Sequence, residues 1–177
     1  FRDYFIVRFF TGMRTGEVDG LQWRFIDWTR GIILIRETWV RDRLEYTKND
    51  GSQREIKMSE PVRNALLRQR ELTGKAKFVF STKKGTPHNH RNVTQRIWYP
   101  TLHALELRDR TPYQTRHTAA TLWLAAGENP EWIARQMGHT TTEMLFRVYS
   151  RYVPNLTRQD GSAADALLQR FEFGGIQ

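Results

Sequence analysis

The stretch TPYQTRHTAATLWLAAG (111–127) reads as a helix with an apolar second half. On that helix Tyr113, Arg116 and His117 fall at i, i+3 and i+4, so they share one face. A guanidinium buried without a partner at the edge of an apolar run costs several kcal/mol. Arg116 therefore predicts either a negative group that meets it or a side chain that snorkels out to water. Three other segments place polar residues in similar company. In TGMRTGE (11–17) Arg14 occupies a glycine-flanked turn, three residues before Glu17. The glycines let backbone come close to a partner, although a surface Arg14–Glu17 pair across the turn is the plainer reading. In YTKNDGSQRE (46–55) Lys48 stands where a strand enters a turn, a position that suits a solvated lysine equally well. In QMGHTTTEMLFRVYSRY (136–152) His139 follows a glycine that stops a helix, and Tyr149 and Tyr152 come ten and thirteen residues later on one face of the next helix. Read plainly, these are a capping histidine and two core tyrosines.

The joint order of these residues points to phosphoryl transfer. Two guanidiniums can fork onto the non-bridging oxygens of a phosphodiester. Charge held ready at a developing oxyanion is often the largest catalytic contribution, and one such donor is worth about 3–4 kcal/mol. A tyrosine hydroxyl can form a covalent phosphoester, and a lysine or histidine can move the protons. The sequence TG-M-R-x-GE, then TK on a hairpin, then x-x-x-R-H-T, then x-G-H and a tyrosine ten residues on resembles the catalytic domain of tyrosine recombinases of the phage-integrase type. The resemblance runs from about Phe10 to Tyr152.

That resemblance implies site-specific DNA strand exchange, in integration or excision of a mobile element such as a prophage or genomic island. Arg14 and Arg116 would grip the scissile phosphate, with Glu17 holding Arg14 in place. Tyr149 would attack and leave a 3′-phosphotyrosine and a free 5′-hydroxyl, with Tyr152 as the rival nucleophile. Lys48 would protonate the leaving 5′-oxygen, and His139 would bond the phosphate or orient the attack. Because the ester keeps the bond energy, rejoining needs no ATP, and no metal is implied. The family usually has His three positions before its second arginine, whereas this chain has Tyr113. A phenol can donate to a phosphate oxygen but is a poor base near neutral pH. His117 is expected to be a buried support for the site rather than its base. His88 and His90 suggest a metal-ligand pair, yet their loop offers no nearby carboxylate, so no metal is expected. Lys83, Lys84 and Arg91 are instead expected to touch the DNA backbone. Double-stranded attachment sites, other protomers in a tetramer on DNA, and accessory DNA-bending host proteins or an excisionase are the implied partners.

The elements that must position these residues follow from the pattern of the chain. FRDYFIVRFF is helical, and Thr15 can cap a short helix after the glycine turn. Alternating, β-rich segments near 32–39, 43–47 and 53–58 predict three antiparallel strands, with Asp50-Gly51 turning the last pair. Ser59 and Pro61 open a further helix. Helices are predicted over about 89–107, 112–126, 130–137, 141–152 and 161–171, with Leu122, Trp123 and Leu124 in the core. The expected fold is mainly α with a small three-stranded antiparallel sheet (α+β), that of a tyrosine recombinase catalytic domain. Residues 1–155 would form the catalytic domain, and 156–177 a tail whose short helix docks onto its own domain or onto a neighbouring protomer. The chain opens on Phe1 without Met, as expected of an excised domain from which N-terminal DNA-binding domains are missing.

Composition narrows the function class. The formal charge of +9 favours a polyanionic partner, nucleic acid first. The absence of cysteine excludes disulfides, zinc–thiolate sites and a thiol nucleophile. No apolar run reaches the roughly 18 residues of a membrane span, and no signal peptide is visible, so a cytoplasmic location in a bacterial or phage-infected cell is expected. Two competing readings remain. A non-catalytic helix-turn-helix module would account for residues 128–153 and the charge, but not for Arg14, Lys48 and Arg116. A type IB topoisomerase would share the chemistry without exchanging partners.

Overall fold

The computed structural model describes residues 1–46 and 53–149. Helix α1 (Arg2–Thr11) buries Tyr4, Val7, Arg8 and Thr11, the i, i+3, i+4, i+7 stripe of an amphipathic helix. It stops at Gly12, whose φ of 61° is left-handed. A Cβ there would also meet the Trp123 ring at 3.2 Å, so both conformation and packing call for glycine. The turn leads into α2 (Thr15–Asp19). Its cap is Arg14 rather than Thr15: the Glu17 carboxylate accepts the Arg14 backbone N–H at 2.7 Å, and Thr15 already belongs to the helix.

The strands pair differently from the expected meander. β1 (Ile26–Asp27), β2 (Ile32–Ile35) and β5 (Arg54–Lys57) form a three-stranded antiparallel sheet in that order, with Ile33 opposite Ile56. β3 (Glu37–Val40) and β4 (Arg43–Tyr46) form a separate hairpin. The single strand expected over 32–39 is thus divided at Arg36, its halves serving different sheets. The hairpin turns at Arg41 and Asp42, both at positive φ (49° and 60°). That backbone matches the twist of two-residue hairpins, and Asp tolerates it, but Arg-Asp lacks the Asn-Gly signature that would have announced it. Among the described residues β5 pairs with β2 and not with β4.

Helix α3 (Glu60–Thr73) lies against α1 and the sheet, through Val62, Ala65 and Leu66. The helix expected over 89–107 is three consecutive pieces: α4 (His90–Val93), a π-helical turn (Thr94–Trp98) and α5 (Tyr99–Ala104). Pro100 has no N–H for the carbonyl one turn back, and the register widens just before it, where the Tyr99 N–H bonds Thr94. The three last described helices are α6 (Gln114–Ala125), α7 (Pro130–Met137) and α8 (Glu143–Tyr149). The expected helix over 161–171, the tail 156–177, Lys48 and Tyr152 lie outside the described residues.

Two apolar clusters organise these elements. One joins α1, α3 and the sheet through residues such as Val7, Ile33, Ile56 and Leu66. The other joins α6, α7 and α8 through Ala120, Leu124, Ile133, Met137, Leu145 and Tyr149, with Trp123 and Trp132 packed against it. Leu122, expected in the core, is 48% exposed. Each fully buried aliphatic side chain contributes about 1.5–3 kcal/mol, so Leu124, Ile133 and Leu145 hold α8 against α6 firmly enough to set where Tyr149 stands.

Candidate active site

Arg8 fixes the start of α6 against α1. Although 1% exposed, its guanidinium donates to the Pro112 carbonyl at 3.1 Å and to the Thr15 hydroxyl at 2.9 Å. The first turns of α6 are thereby clamped beside the Arg14 turn, and the residues of the two segments become neighbours.

At the centre lies Glu17, 3% exposed. Arg54, at the start of β5, forks onto it with two bonds of 2.8 Å. Arg14 adds a third guanidinium bond at 3.0 Å. Burial pushes the Glu17 carboxyl up, but the bonds and charges of Arg54 and Arg14 outweigh this and hold it below the ordinary carboxylate value. Arg54 was not singled out from the sequence. Its signal is the alternation REIKM: Arg54 and Ile56 face inward together, and an arginine at an inward strand position requires a buried partner.

Arg116 is 2% exposed. Its two terminal nitrogens donate to the carbonyls of Gly12 and Met137, and one of them reaches His139 Nε2 at 3.3 Å. Arg14 donates to the next carbonyl, that of Gly138, at 3.1 Å. Two guanidiniums separated by about a hundred residues in sequence therefore hold successive carbonyls of one turn. Burial and the Arg14 charge lower the Arg116 pKa to about 10, still charged at neutral pH. Among the described residues no carboxylate forms an ion pair with Arg116. Arg14, Arg54 and Arg116 thus surround a single carboxylate, Glu17.

The turn they hold is shaped by Gly138, left-handed at φ 67°, where a Cβ would press on the Arg54 guanidinium at 3.0–3.2 Å. It presents His139, whose pKa is lowered to about 4 by burial and by the charges of Arg116, Arg14 and Arg54. The ring is neutral. With Nε2 accepting from Arg116, the proton sits on Nδ1, which is buried with no hydrogen-bond partner among the described residues.

Tyr149, 4% exposed, closes the site from α8. Its hydroxyl bonds His117 Nδ1. Burial raises the Tyr149 pKa to about 12, against a lowering by the Arg116 charge. His117 is half-buried rather than buried, and burial followed by the neighbouring Arg116 charge lowers its pKa. Tyr113, 45% exposed, packs edge-on against the His117 ring at 5.4 Å.

Direct contacts thus join Arg14 to Glu17, Arg116 to His139, and Tyr113 and Tyr149 to His117; the carbonyls of Met137 and Gly138 bring the first two groups to one turn, and the adjacency of Arg116 and His117 on α6 brings in the third. Lys48 and Tyr152 fall outside the described residues. Lys83, Lys84 and Arg91 are exposed and share no hydrogen bond with this cluster among the described residues. His88 packs on Phe1 at 5.0 Å, and His90 stands 3.4 Å from the Thr94 hydroxyl. Among the described residues no group of three or more His, Cys, Asp or Glu could hold a metal ion.

The chain is similar to several known proteins. IntQ of Escherichia coli K12 is 31% identical over 86% of the chain and 45% of its own length. Prophage integrase IntR of the same organism is 28% identical over 90% of the chain and 45% of its own length. The ICEBs1 integrase of Bacillus subtilis is 26% identical over 95% of the chain and 49% of its own length. The chain spans about half the length of the curated relatives it matches. In three dimensions it is similar to the Tn1549 transposon integrase, solved with circular intermediate DNA (TM-score 0.75, 24% identity, 95% of this chain and 58% of that one). It is also similar to the XerA recombinase (TM-score 0.66, 22% identity, 93% and 56%). The fold is that of tyrosine recombinase catalytic domains. The profile of the phage integrase family matches residues 2–155, and the chain belongs to that family.

Proposed function

We propose that this chain is the catalytic part of a site-specific recombinase that cuts and rejoins DNA through a 3′-phosphotyrosine, integrating or excising a mobile element. The observation that carries the reading is the convergence of Arg14 and Arg116 on one turn, with one carboxylate among three guanidiniums and the Tyr149 hydroxyl bonded to His117, the neighbour of Arg116 on α6. Such a surplus of fixed positive charge suits a phosphodiester that gains negative charge in the transition state. Arg14 and Arg116 hold the non-bridging oxygens, Glu17 and Arg54 keep Arg14 in place, and Tyr149 attacks phosphorus. Tyr113 donates to the phosphate from the rim. Lys48 is the proposed acid for the leaving 5′-oxygen. Lys83, Lys84 and Arg91 contact the DNA backbone. Tetramer assembly on DNA, docking of the tail 156–177 on a neighbour, accessory bending proteins or an excisionase, and action in the cytoplasm belong to the same reading. Among the described residues no helix is long and apolar enough to cross a membrane.

The test is a nicked duplex carrying the element's own attachment site, which traps the covalent adduct. A band that survives SDS, and that disappears in Tyr149→Phe while DNA binding persists, is expected. Replacing the bridging 5′-oxygen by sulfur, which leaves without a proton, should restore cleavage to Lys48→Ala. DNA binding without any adduct would favour a helix-turn-helix module built on α7 and α8. The use of the turn between those helices to hold Arg14 and Arg116 speaks against that alternative.

A further inference from the structure

We infer that His117 is the catalytic base that receives the proton of Tyr149, an assignment that rests on Tyr149 being the nucleophile. The Tyr149 hydroxyl bonds His117 Nδ1 directly, across the packed interface of α6 and α8. For Nδ1 to accept, the ring proton must sit on Nε2. The ring is held in this pose from its other side by Tyr113, edge-on at an interplanar angle of 75°.

The alternatives fit less well. Tyr113 occupies the position where the resemblance predicts a histidine, and a phenol is no base at neutral pH. His139 turns Nε2 toward Arg116, and its Nδ1 is buried away from any partner among the described residues. His117 contacts the reacting oxygen itself. Among the described residues the charged and titratable groups around it are Arg116 on its own helix, Tyr113 at that helix's N-cap, Tyr149 on α8, and Arg110, which lines the same cleft of about 290 Å³. Among the described residues no carboxylate lines that cleft to hold His117 as an imidazolium before the reaction. Burial, and then the Arg116 charge, favour the neutral ring in the resting site.

The bond from Tyr149 Oη to phosphorus forms while its O–H bond breaks, and the proton passes to Nδ1. The bond from phosphorus to the 5′-oxygen breaks with its electron pair on oxygen, which takes a proton from the acid, for which Lys48 is proposed. In rejoining, the 5′-hydroxyl returns its proton to the group that supplied it, for which Lys48 is proposed, as its oxygen bonds phosphorus; the phosphotyrosine ester breaks, and the imidazolium returns its proton to the Tyr149 oxygen. The negative charge gathering on the phosphoryl oxygens as the proton moves offsets the repulsion between imidazolium and Arg116.

The experiment is single-turnover cleavage of the nicked attachment-site duplex by the full-length protein, followed across pH. His117→Ala should slow adduct formation by about 10²–10⁴-fold, with DNA affinity unchanged. The rise of log rate with pH through the histidine range should disappear. Added imidazole should restore rate in proportion to its free-base concentration. His117→Gln keeps an acceptor of similar reach but cannot take the proton, so it should stay slow. Wild-type-like rates in His117→Gln, or in His117→Ala with an unaltered pH profile, would overturn the assignment and leave Tyr149 as the nucleophile. A wild-type protein that forms no adduct, or an adduct that persists in Tyr149→Phe, would instead overturn the recombinase reading beneath it. Thermal melts of both variants separate a folding defect from a chemical one, and a misfolded His117→Ala leaves His117→Gln to decide.

Discussion

Replacing Glu17 by glutamine should test whether the site is built around one buried carboxylate. Glu17 accepts four hydrogen bonds: 2.7 Å from the Arg14 backbone, 3.0 Å from its guanidinium, and two of 2.8 Å from Arg54. Glutamine offers one acceptor oxygen and turns an NH₂ toward guanidinium N–H groups. Removing one partner of a buried ion pair costs about 3–5 kcal/mol, because the charge left behind stays desolvated. The Arg54 side of the network is 6% exposed and carries that penalty. The Arg14 side is 39% exposed and contributes little. An expected loss of about 3–4 kcal/mol follows. At roughly 2–4 °C per kcal/mol for a domain of this size, the melting temperature should fall by about 6–16 °C.

The pH dependence of the same variant has a definite sign. The folded pKa of Glu17 is depressed below 4.5, so its stabilisation is present above that value and is lost as pH falls through the folded pKa. Melts recorded between about pH 7 and pH 3 should therefore show a shallower acid limb in Glu17→Gln than in the parent. Sulfate should restore stability to the variant more than to the parent, because three guanidiniums then lack a counter-charge. A melting temperature within about 1 °C of the parent, with no added response to sulfate, would refute the reasoning.

Three further outcomes are expected. Asp19, 3% exposed, has its pKa raised from 3.8 to about 6 by burial, while the Tyr4 hydroxyl bond at 2.7 Å works the other way. A raised carboxylate stabilises below its unfolded pKa and loses that contribution as pH rises through the folded one. Denaturant unfolding should thus show Asp19→Asn gaining up to about 3 kcal/mol on the parent between pH 4 and pH 8, and equal pH slopes would count against it. Gly138→Ala forces a side chain into left-handed backbone and against Arg54. It should lose about 1–2 kcal/mol and slow adduct formation more than it weakens DNA binding; a variant with parental stability would show the turn to be compliant. His139→Glu introduces a carboxylate beside Arg116 and should stabilise the fold by about 0.5–2 kcal/mol while abolishing cleavage, the usual exchange between stability and function. A destabilised variant that still cleaves would mean that the positive surplus is not what the site uses.

Much of this was legible in local pattern. The buried stripe of α1, the stops at Gly12 and Gly138, and the shared face of Tyr113, Arg116 and His117 all follow from spacing. What was missed depends on contacts between distant segments or on turn chemistry without a signature. The Arg41-Asp42 turn contains neither Gly nor Asn, so the gap between the segments 32–39 and 43–47 carries no turn signature of its own, whereas Asp50-Gly51, outside the described residues, does. Arg54 resembles any polar residue of an alternating strand until Glu17, 37 residues earlier, is folded onto it. The bond from His117 to Tyr149 exists because Leu124 and Leu145 pack α6 on α8, and 32 residues of sequence conceal it. Helix α5 and its π-helical neighbour read as one helix because Pro100 is also a normal first-turn residue.

The partners of Arg116 explain how one side chain can be buried and still serve an anion. Its hydrogen bonds go to carbonyls of Gly12 and Met137 and to a neutral imidazole. These groups satisfy donors without cancelling charge. A carboxylate in their place would have stabilised the fold more, but it would repel the phosphate that the proposed function gives the guanidinium to hold. Glu17 is set one arginine away, where it offsets half the charge of the Arg14 and Arg54 pair that anchors the turn and leaves Arg116 charged. The backbone of residues 12 and 137–138 therefore sits where it does for an electrostatic reason as much as a conformational one. That accounts for left-handed glycines at two of the points where the chain approaches the cluster.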